Sequence, residues 1–456
     1  MNESELERAL RDWAKADADV SEPARLRARV MAVPDVAKAQ PRLGLRSLSG
    51  WLRTRPFAAL GMAAAVAVLF AAVLVPGVLR DPDEEGTLGD PATSVVVAQD
   101  GSGDFGTIMD AVGAAADGDT ILVRPGTYLE SILIDKDITL RGDGDREDIV
   151  IRAPSDQADR WLPEEERTYA IRLQDTDAHV ENLTLTGPAS ALIAHGGSPR
   201  IADVAVIDVG VANRGDDMDP SRFAGLTLVA GSTAEVRDSL FRRSDVAVDG
   251  SSVALEDNRL EASMIQLLDT SGGAAASMAS LIRGNVFNDP WIAIWVDEGA
   301  SPRIEGNEIS GAETTAAWIR FAGPGTVVEG NTIRDSRTAM MVVESSVDIV
   351  ENDVSGNQFG LNIAGTGATV RGNLFRDNTV GVLISSSSSG RMTSLTLEGN
   401  TVEGNVRGIA IKAGTSSRLM GNVVCDNETN LDIVDGADVT LQDNEICADV
   451  ASAQVP

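Results

Sequence analysis

The 456-residue sequence is long enough to bury a large core, and it carries a formal net charge of −31 with a pI near 4.3. So large an excess of carboxylates repels phosphate backbones and anionic lipid surfaces, which excludes a nucleic-acid-binding protein. The chain has two Cys and two His, and they match no zinc motif.

Residues 1–56 contain two short amphipathic helix patterns, at about 4–13 and 22–32, with too little apolar material for an independent domain. The segment is somewhat similar to the short cytosolic heads of bacterial membrane-bound regulators such as anti-sigma factors, although it has no diagnostic motif. That resemblance implies a cytosolic partner for residues 1–56. The alternative is a partly disordered basic tail.

An apolar run follows, from Phe57 to Leu79, with 23 residues and no charged side chain. About 20 apolar residues suffice to cross a bilayer. Arg53 and Arg55 precede the run and Arg80 follows it, so the positive-inside rule places residues 1–56 in the cytoplasm and the acidic part outside. We expect a single-pass anchor over 57–79. A cleaved signal peptide would have a shorter apolar core beginning nearer the N-terminus.

After an acidic linker over residues 80–94, residues 97–112 read VAQDGSGDFGTIMDAV and residues 118–144 read GDTILVRPGTYLESILIDKDITLRGDG. Both stretches are similar to the opening of pectinesterases, where a strand and a capping helix close the N-terminal end of a right-handed parallel β-helix. Ile108, Val112 and Ala115 share one helical face, with Asp104 as the expected N-cap. The resemblance and the pattern both predict a cap, which the open end of a solenoid requires.

One asparagine recurs every 21–27 residues from about residue 253, with an aliphatic residue three positions before it and an apolar residue two positions after it. This period is typical of a solenoid. The segments are rich in Val, Ile and Thr, and so predict parallel strands about 4.8 Å apart. We expect an all-β right-handed parallel β-helix over residues 95–448, with looser coils at 152–252 and a tail at 449–456. The column comprises Asn258, Asn285, Asn307, Asn331, Asn352, Asn373, Asn400, Asn422 and Asn444.

We expect each of these asparagines to be structural. Its amide can bond the amides of the coils above and below, and the residue itself can occupy the left-handed turn between two strands.

Several fragments are similar to the motifs of three families of β-helix enzymes. Residues 174–176 (QDT) match part of one pectinesterase motif, but the other two motifs are absent. The fragments at 194–196, 216–217 and 411–412 are similar to polygalacturonase motifs but follow a different order. Residues 294–298 (IWVDE) resemble the Trp-Ile-Asp-His motif of pectate lyases with the His replaced, which would leave Arg320 or another arginine as the base. The catalytic residues therefore stay unassigned.

Metal binding is limited to a possible weak Ca²⁺ site. Residues 141–148 (RGDGDRED) and 214–219 (RGDDMD) cluster acidic side chains without the spacing of a known calcium loop. Solvated turns are the alternative, and no cofactor is expected.

The candidate glycan-contact surface lies on two successive coils. Alternation places Ile292, Ile294 and Val296 inward, and hence Trp291, Trp295 and Asp297 outward. On the next coil the same rule places Ile319 and Phe321 inward, and hence Trp318 and Arg320 outward. Aligning Val296 with Phe321 sets Trp295 beside Arg320 and Trp318 beside Ala293. The predicted contact residues are Trp291, Trp295, Asp297, Trp318 and Arg320.

Exposed tryptophans are costly unless something covers them. A polysaccharide could cover them, because indole rings stack on sugar faces. The alternative is a loop, at 211–223 or 269–280, that lies over the cluster and turns it into core.

The two cysteines occupy equivalent places on successive coils. Cys425 lies three residues after Asn422, and Cys447 lies three residues after Asn444. A strand spacing near 4.8 Å is within the range that a disulfide allows, and the space outside the membrane permits oxidation. We expect a Cys425–Cys447 bond; the alternative is two stacked thiols.

Three functions stay open at this point. The first is an extracytoplasmic module that binds polysaccharide or serves as a cell-surface structural element. The second is a polysaccharide-active enzyme, either a lyase or a carbohydrate esterase. The third is the ectodomain of a membrane-bound regulator or sensor whose residues 1–56 bind a cytosolic partner.

The predicted topology is testable with fusions. A reporter that is active only in the cytoplasm should be silent when it is fused after Pro456, and active when it is fused ahead of residue 57. Cytoplasmic activity of the Pro456 fusion would contradict the membrane anchor.

Overall fold

The computed structural model describes residues 93–154, 169–187, 190–209, 224–270, 280–365, 367–387 and 393–450. These residues form one right-handed parallel β-helix, which confirms the predicted fold. The predicted head at 1–56 and membrane span at 57–79 lie outside the described residues, as do most of the linker at 80–94 and of the tail. Among the helices of the described chain, none combines the length and apolarity of a bilayer span.

Three stacks of strands, here called faces 1 to 3, make up the described coils, and the strands are labelled in chain order. Strands pair in parallel between successive coils, for example Ile304 with Val328 and Ile294 with Ala317. Two long strands, β8 (His179–Thr186) and β10 (Arg200–Ile207), run through both face 1 and face 2.

Besides β8 and β10, face 1 contains β1 (Ser94–Val97), β2 (Thr120–Val123), β5 (Thr139–Gly142), β12 (Thr233–Arg237), β15 (Ser252–Glu256), β18 (Leu281–Arg283), β21 (Arg303–Glu305), β24 (Thr326–Glu329), β27 (Val347–Val350), β30 (Thr369–Arg371), β33 (Thr393–Glu398), β36 (Thr415–Met420) and β39 (Asp438–Gln442). Face 2 adds β3 (Gly126–Leu129), β6 (Ile149–Arg152), β13 (Leu240–Arg242), β16 (Arg259–Glu261), β19 (Val286–Asn288), β22 (Glu308–Ser310), β25 (Thr332–Arg334), β28 (Asp353–Ser355), β31 (Leu374–Arg376), β34 (Thr401–Glu403), β37 (Val423–Cys425) and β40 (Glu445–Ile446).

Face 3 contains β4 (Ile132–Ile134), β7 (Tyr169–Gln174), β9 (Ser190–His195), β11 (Leu226–Val229), β14 (Val246–Asp249), β17 (Ile265–Leu268), β20 (Ile292–Val296), β23 (Thr315–Arg320), β26 (Thr338–Val343), β29 (Phe359–Ala364), β32 (Val380–Ser385), β35 (Arg407–Ile411) and β38 (Thr429–Ile433).

The core is a set of apolar columns inside the coils. Alternate residues of each strand point inward, and side chains such as Ile304, Val328 and Ile349 are almost fully buried on successive coils. Each buried aliphatic side chain contributes about 1.5–3 kcal/mol relative to an exposed one. The periodic aliphatic positions of the sequence are therefore what close the coils around a common interior.

The N-terminal end of the β-helix is covered by α1 (Ile108–Ala114), which buries Ile108, Ala111 and Val112 against it. The predicted helix is present, but its N-cap is Thr107, whose Oγ1 accepts the backbone N–H of Asp110. Asp104, the expected cap, instead accepts the backbone N–H of Val96 at 2.8 Å.

The carbonyl end of α1 also has a partner. The ammonium group of Lys136 donates to the carbonyl oxygens of Val112, Gly113 and Ala115. A lysine at this end satisfies carbonyls that have no partner within the helix, and its positive charge opposes the helix dipole.

The asparagine column forms a continuous ladder between faces 1 and 2. Asn331 illustrates the pattern: its Nδ2 donates to Oδ1 of Asn352 at 2.9 Å and to the carbonyl oxygen of Ile304 one coil back. The backbone N–H of Asn331 donates to the same Oδ1 of Asn352. Equivalent amide contacts link every step from Asn258 to Asn444.

The left-handed turn belongs to the residue before each ladder asparagine, which corrects the expectation for the asparagine itself. Gly306 has φ +59°, and Asp257 and Glu351 have φ +55°. This conformation costs glycine little, whereas a residue with Cβ is strained in it. The turn requirement therefore explains why Gly so often precedes the ladder asparagine.

A second ladder lies five residues further on, between faces 2 and 3. Asn357 Nδ2 donates to Oδ1 of Asn378 at 3.0 Å, and Asn405 Nδ2 donates to Oδ1 of Asn427 at 2.8 Å. Ser336 precedes this ladder and donates its backbone N–H to Asn357 Oδ1. The signal was present in the sequence as a second polar column with the same period.

Cys425 and Cys447 form a disulfide in the structure, with a Cα–Cα distance of 4.8 Å. The bond joins Cys425, the last residue of β37, to Cys447, which directly follows β40 on the next coil. In the chain-entropy description, closing a loop of this length stabilises the folded state by about 3 kcal/mol. The disulfide therefore stabilises the last two described coils of the stack.

The ladder predicts a position-dependent loss of stability. Asn352→Ala should lower the free energy of unfolding by about 3 kcal/mol, because it leaves buried donors and a buried acceptor on neighbouring coils without partners. Asn444→Ala removes the half-buried last member and should cost less than half as much. Thermal unfolding of both variants, followed by circular dichroism, makes the comparison. Equal losses would contradict a cooperative ladder.

Candidate functional site

The predicted contact residues lie on the outward surface of face 3, but with a different register. Val296 pairs with Ile319, not with Phe321, and Trp295 pairs directly with Trp318. The two indole rings stack with centroids 5.7 Å apart and planes 15° from parallel. The predicted neighbours, Trp295 beside Arg320 and Trp318 beside Ala293, are therefore wrong by two residues.

The register differs because the alternation ends earlier than predicted. Strand β23 ends at Arg320, and Phe321 begins the turn with φ +47° and a side chain that is 51% exposed. An aromatic residue in this left-handed region is uncommon. Phe321 therefore points to the surface and not to the interior. Ile319 points inward, as the alternation predicts.

The expected exposure is also corrected. Trp295 and Trp318 are each 7% exposed and Asp297 is 2% exposed, so these three side chains are buried. Trp291 is 45% exposed, as expected. The loop proposed as a cover at 211–223 lies outside the described residues, as does most of the one at 269–280.

Asp297 and Arg320 form a partly buried ion pair beside the tryptophans. Oδ2 of Asp297 accepts from Nε of Arg320 at 2.9 Å and also from its Nη2. Oδ1 of Asp297 accepts the backbone N–H of Glu298. The Arg320 guanidinium carbon lies 5.3 Å from the centre of the Phe321 ring, a cation–π distance. A guanidinium offers only N–H donors, which makes Arg320 a poor general base.

Several buried polar atoms on the outward side of face 3 have no hydrogen-bond partner in the described part of the chain. Four of them lie in one column across the strands: the indole Nε1 atoms of Trp295 and Trp318, Oε1 of Gln266 and Oγ1 of Thr227. Gln266, Trp295 and Trp318 are direct neighbours on three successive strands. Each buried group without a partner costs about 1–3 kcal/mol.

A small cavity lies at the Thr227 end of this column. Thr227, Ala247, Asp249 and Gln266 are among its lining residues. The small side chain of Ala247 separates Thr227 from Gln266. The cavity volume of about 10 Å³ is that of one ordered water or one ligand hydroxyl.

A second polar cluster was missed by the sequence analysis, which treated its parts as separate motif fragments. Gln174 and His195 are direct neighbours on β7 and β9. Gln174 Nε2 donates to Oδ2 of Asp175 at 2.7 Å and lies 3.3 Å from Nδ1 of His195. Arg172 Nη2 donates to Gln174 Oε1 at 3.1 Å. Their 21-residue separation, one coil, was the available signal.

The acidic stretch at 141–148 is occupied by ion pairs. Asp143 lies 3.4 Å from Arg124, and Arg146 pairs with Asp203 at 2.6 Å. Among the described residues, the side chains grouped closely enough to hold a metal are Cys425, Glu445 and Cys447, and the two sulfurs are bonded to each other. The stretch at 214–219 lies outside the described residues, so weak Ca²⁺ binding stays a prediction.

Comparison with known proteins agrees with the fold. The family described as the right-handed β-helix region matches residues 268–424. The Azotobacter vinelandii mannuronan C-5 epimerase AlgE6 A-module is similar in structure, with 16% identity, 75% of this chain and 93% of that chain covered, and a TM-score of 0.41. The periplasmic alginate epimerase AlgG is similar with 13% identity, 72% and 77% coverage, and a TM-score of 0.46.

The tailspike protein 3 of bacteriophage CBA120 is similar with 13% identity, 76% and 60% coverage, and a TM-score of 0.44. At these identities the similarities concern the fold and assign no activity to this chain. No curated protein matches the sequence.

The burial of the stacked tryptophans predicts a stability effect. Trp318→Ala should lower the free energy of unfolding by about 3–5 kcal/mol, because it leaves a cavity next to Trp295. Trp291→Ala, at the exposed position of the preceding coil, should change it by less than about 1 kcal/mol. Denaturant titration of both variants measures the difference. A Trp318→Ala variant as stable as the parent would show that the indole is not buried.

Proposed function

We propose that this chain is a membrane-anchored, extracytoplasmic β-helix protein that binds polysaccharide along the outward surface of face 3. The glycan-binding surface is defined here by Thr227, Gln266, Trp291, Trp295, Asp297, Trp318, Arg320 and Phe321.

The observation that carries this proposal is the column of buried polar atoms without partners. Two indole N–H donors, one amide oxygen and one hydroxyl lie on neighbouring strands of one face. A sugar hydroxyl both donates and accepts hydrogen bonds. Binding sites combine apolar and aromatic walls with a few polar groups of this kind. These atoms are buried in the unliganded chain, so a polyhydroxylated chain that runs across the strands would supply the missing partners only where the Trp295–Trp318 stack opens to it.

Two exposed aromatic rings support the same surface. Trp291 precedes β20, and Phe321 follows β23 on the next coil. With 45% and 51% of their side chains exposed, they flank the buried Trp295–Trp318 stack at opposite ends of the strands. At a rise of about 3.3 Å per residue, they lie roughly 20 Å apart. The two rings therefore border the two sides of a polymer that runs across the strands.

The ion pair between the two rings fits an orienting role. Asp297 and Arg320 bind each other, and this contact holds the guanidinium against Phe321. A guanidinium held by a carboxylate is a rigid, planar group with a fixed direction. The pair therefore favours recognition over acid–base chemistry at this position.

The proposed location rests on the apolar run at 57–79 and on the cysteines. Cytosolic proteins seldom keep disulfides, whereas extracytoplasmic proteins do. The Cys425–Cys447 bond therefore supports a β-helix outside the membrane. A sensor role, in which residues 1–56 bind a cytosolic partner, is compatible with the same topology.

The glycan-binding surface predicts a selective loss of affinity. The double variant Trp291→Ala/Phe321→Ala, prepared as full-length protein in detergent, should bind polysaccharide at least about tenfold more weakly. Each exposed aromatic contact is worth about 1 kcal/mol or more at an interface. The measurement is a binding titration against the best ligand from a panel of neutral and acidic polysaccharides.

The control is Leu129→Ala, which removes a 65% exposed apolar side chain on face 2. It should bind like the parent protein, and all variants should keep the same thermal midpoint. Unchanged affinity of the double variant would place any glycan elsewhere, and the absence of binding across the panel would refute the function.

A further inference from the structure

Arg172 is unusual among the half-buried arginines of this acidic chain. Its guanidinium donates to the neutral amide oxygen of Gln174, and its Nε atom is buried with no hydrogen-bond partner in the described residues. Five other half-buried arginines of the described chain each pair with a carboxylate. These pairs are Arg146 with Asp203, Arg242 with Glu261, Arg320 with Asp297, Arg376 with Asp353 and Arg407 with Asp432.

A desolvated guanidinium without an anion is unfavourable, because its donors lose their water partners without replacement. Carboxylates are abundant in a chain with 69 acidic residues. The structure nevertheless places an amide, not an acid, beside Arg172. Among the described residues, Gln174 orients the guanidinium, and no carboxylate is hydrogen-bonded to it.

The hydrogen bonds around Gln174 determine how its neighbours face the surface. Arg172 can only donate, so Oε1 of Gln174 must face it, and Nε2 must face Asp175 and His195. Because Nε2 is a donor, the Nδ1 atom of His195 must be the acceptor in their 3.3 Å contact. With Nδ1 as the acceptor, Nε2 is the ring nitrogen that is left to donate. Arg172 and His195 thus contribute N–H donors to the same side of face 3.

We infer that Arg172 and His195, oriented by Gln174, form an anion subsite for a carboxylate or sulfate group carried by the polysaccharide. This inference rests on the proposed function and names the ligand class, an acidic polysaccharide. Asp175, which is exposed and bonded to Gln174, serves as an acceptor for a hydroxyl of the same sugar.

The subsite lies on the same face as the glycan-binding surface. Strands β7 and β20 are five steps apart in the stack of face 3, which corresponds to roughly 24 Å at the spacing of parallel strands. One polymer that crosses the strands can reach both. The protein's net charge of −31 repels a polyanion at long range. That repulsion falls off within about 8 Å at physiological salt, whereas a contact ion pair is screened much less.

The test compares one polysaccharide in two forms, with its carboxyl groups intact and with the same groups reduced to alcohols. Full-length parent protein should bind the acidic form about tenfold or more tightly than the reduced form. Arg172→Gln should abolish that preference while it keeps binding to the reduced form. Gln174→Glu, which supplies an internal carboxylate to Arg172, should also abolish the preference. Arg371→Gln, at an exposed position on face 1, removes the same charge and should retain it.

The outcomes separate the two proposals. Equal binding of both forms by the parent protein overturns the anion subsite and leaves the glycan-binding surface standing. A preference that Arg172→Gln retains, with an unchanged thermal midpoint, also overturns the subsite. If Arg371→Gln loses the preference as well, the effect is one of overall charge and the subsite is again overturned. If neither form binds, both proposals fail.

Discussion

The hydrogen bond between equivalent asparagines of neighbouring coils is the interaction on which the rest of this structure depends. One Oδ1 atom, such as that of Asn352, accepts from both the amide and the backbone N–H of the asparagine before it. A shift by one residue would break this pair of bonds and also turn the inward side chains outward. The ladder therefore fixes the register of every coil it joins. Fixed register is what places Gln266, Trp295 and Trp318 next to one another.

The outer surfaces of the coils differ in how their polar groups are satisfied. On faces 1 and 2, charged side chains pair across strands, as Arg303 does with Glu329. Arg242 and Arg259 both bind Glu261, and these bonds hold the pKa of that carboxyl below its ordinary value. On face 3, Trp295, Trp318, Gln266 and Thr227 keep buried polar atoms without a partner in the described chain. Single atoms of this kind also occur elsewhere, as at Oδ1 of Asp353 on face 2 and Oγ of Ser417 on face 1. On face 3 they fall in one column across the strands, which suits an external ligand.

Periodic features could be predicted from the sequence, because each repeats in every coil. The strand columns and the first asparagine ladder followed from the apolar spacing and from the Gly-Asn pairs. The capping helix followed from the apolar face that Ile108, Val112 and Ala115 share. Local exceptions could not. The sequence assigned Phe321 to the interior because it continued the alternation by one step, but the strand ends at Arg320. To predict that Gln174 and His195 are neighbours, one must know the length of the coil that separates them. The looser coils before residue 253 have no regular period that gives this length.

The most direct test of the central claim, that face 3 binds the ligand, is a hydrogen-exchange map of the full-length protein with and without a saturating polysaccharide. Amides protected by a ligand should cluster in the peptides that cover 291–298 and 315–321, while the face 1 and face 2 peptides of the same coils should exchange at unchanged rates. Exchange resolves local opening along the chain, so the two surfaces can be distinguished. Protection confined to face 1 or face 2 would contradict the account.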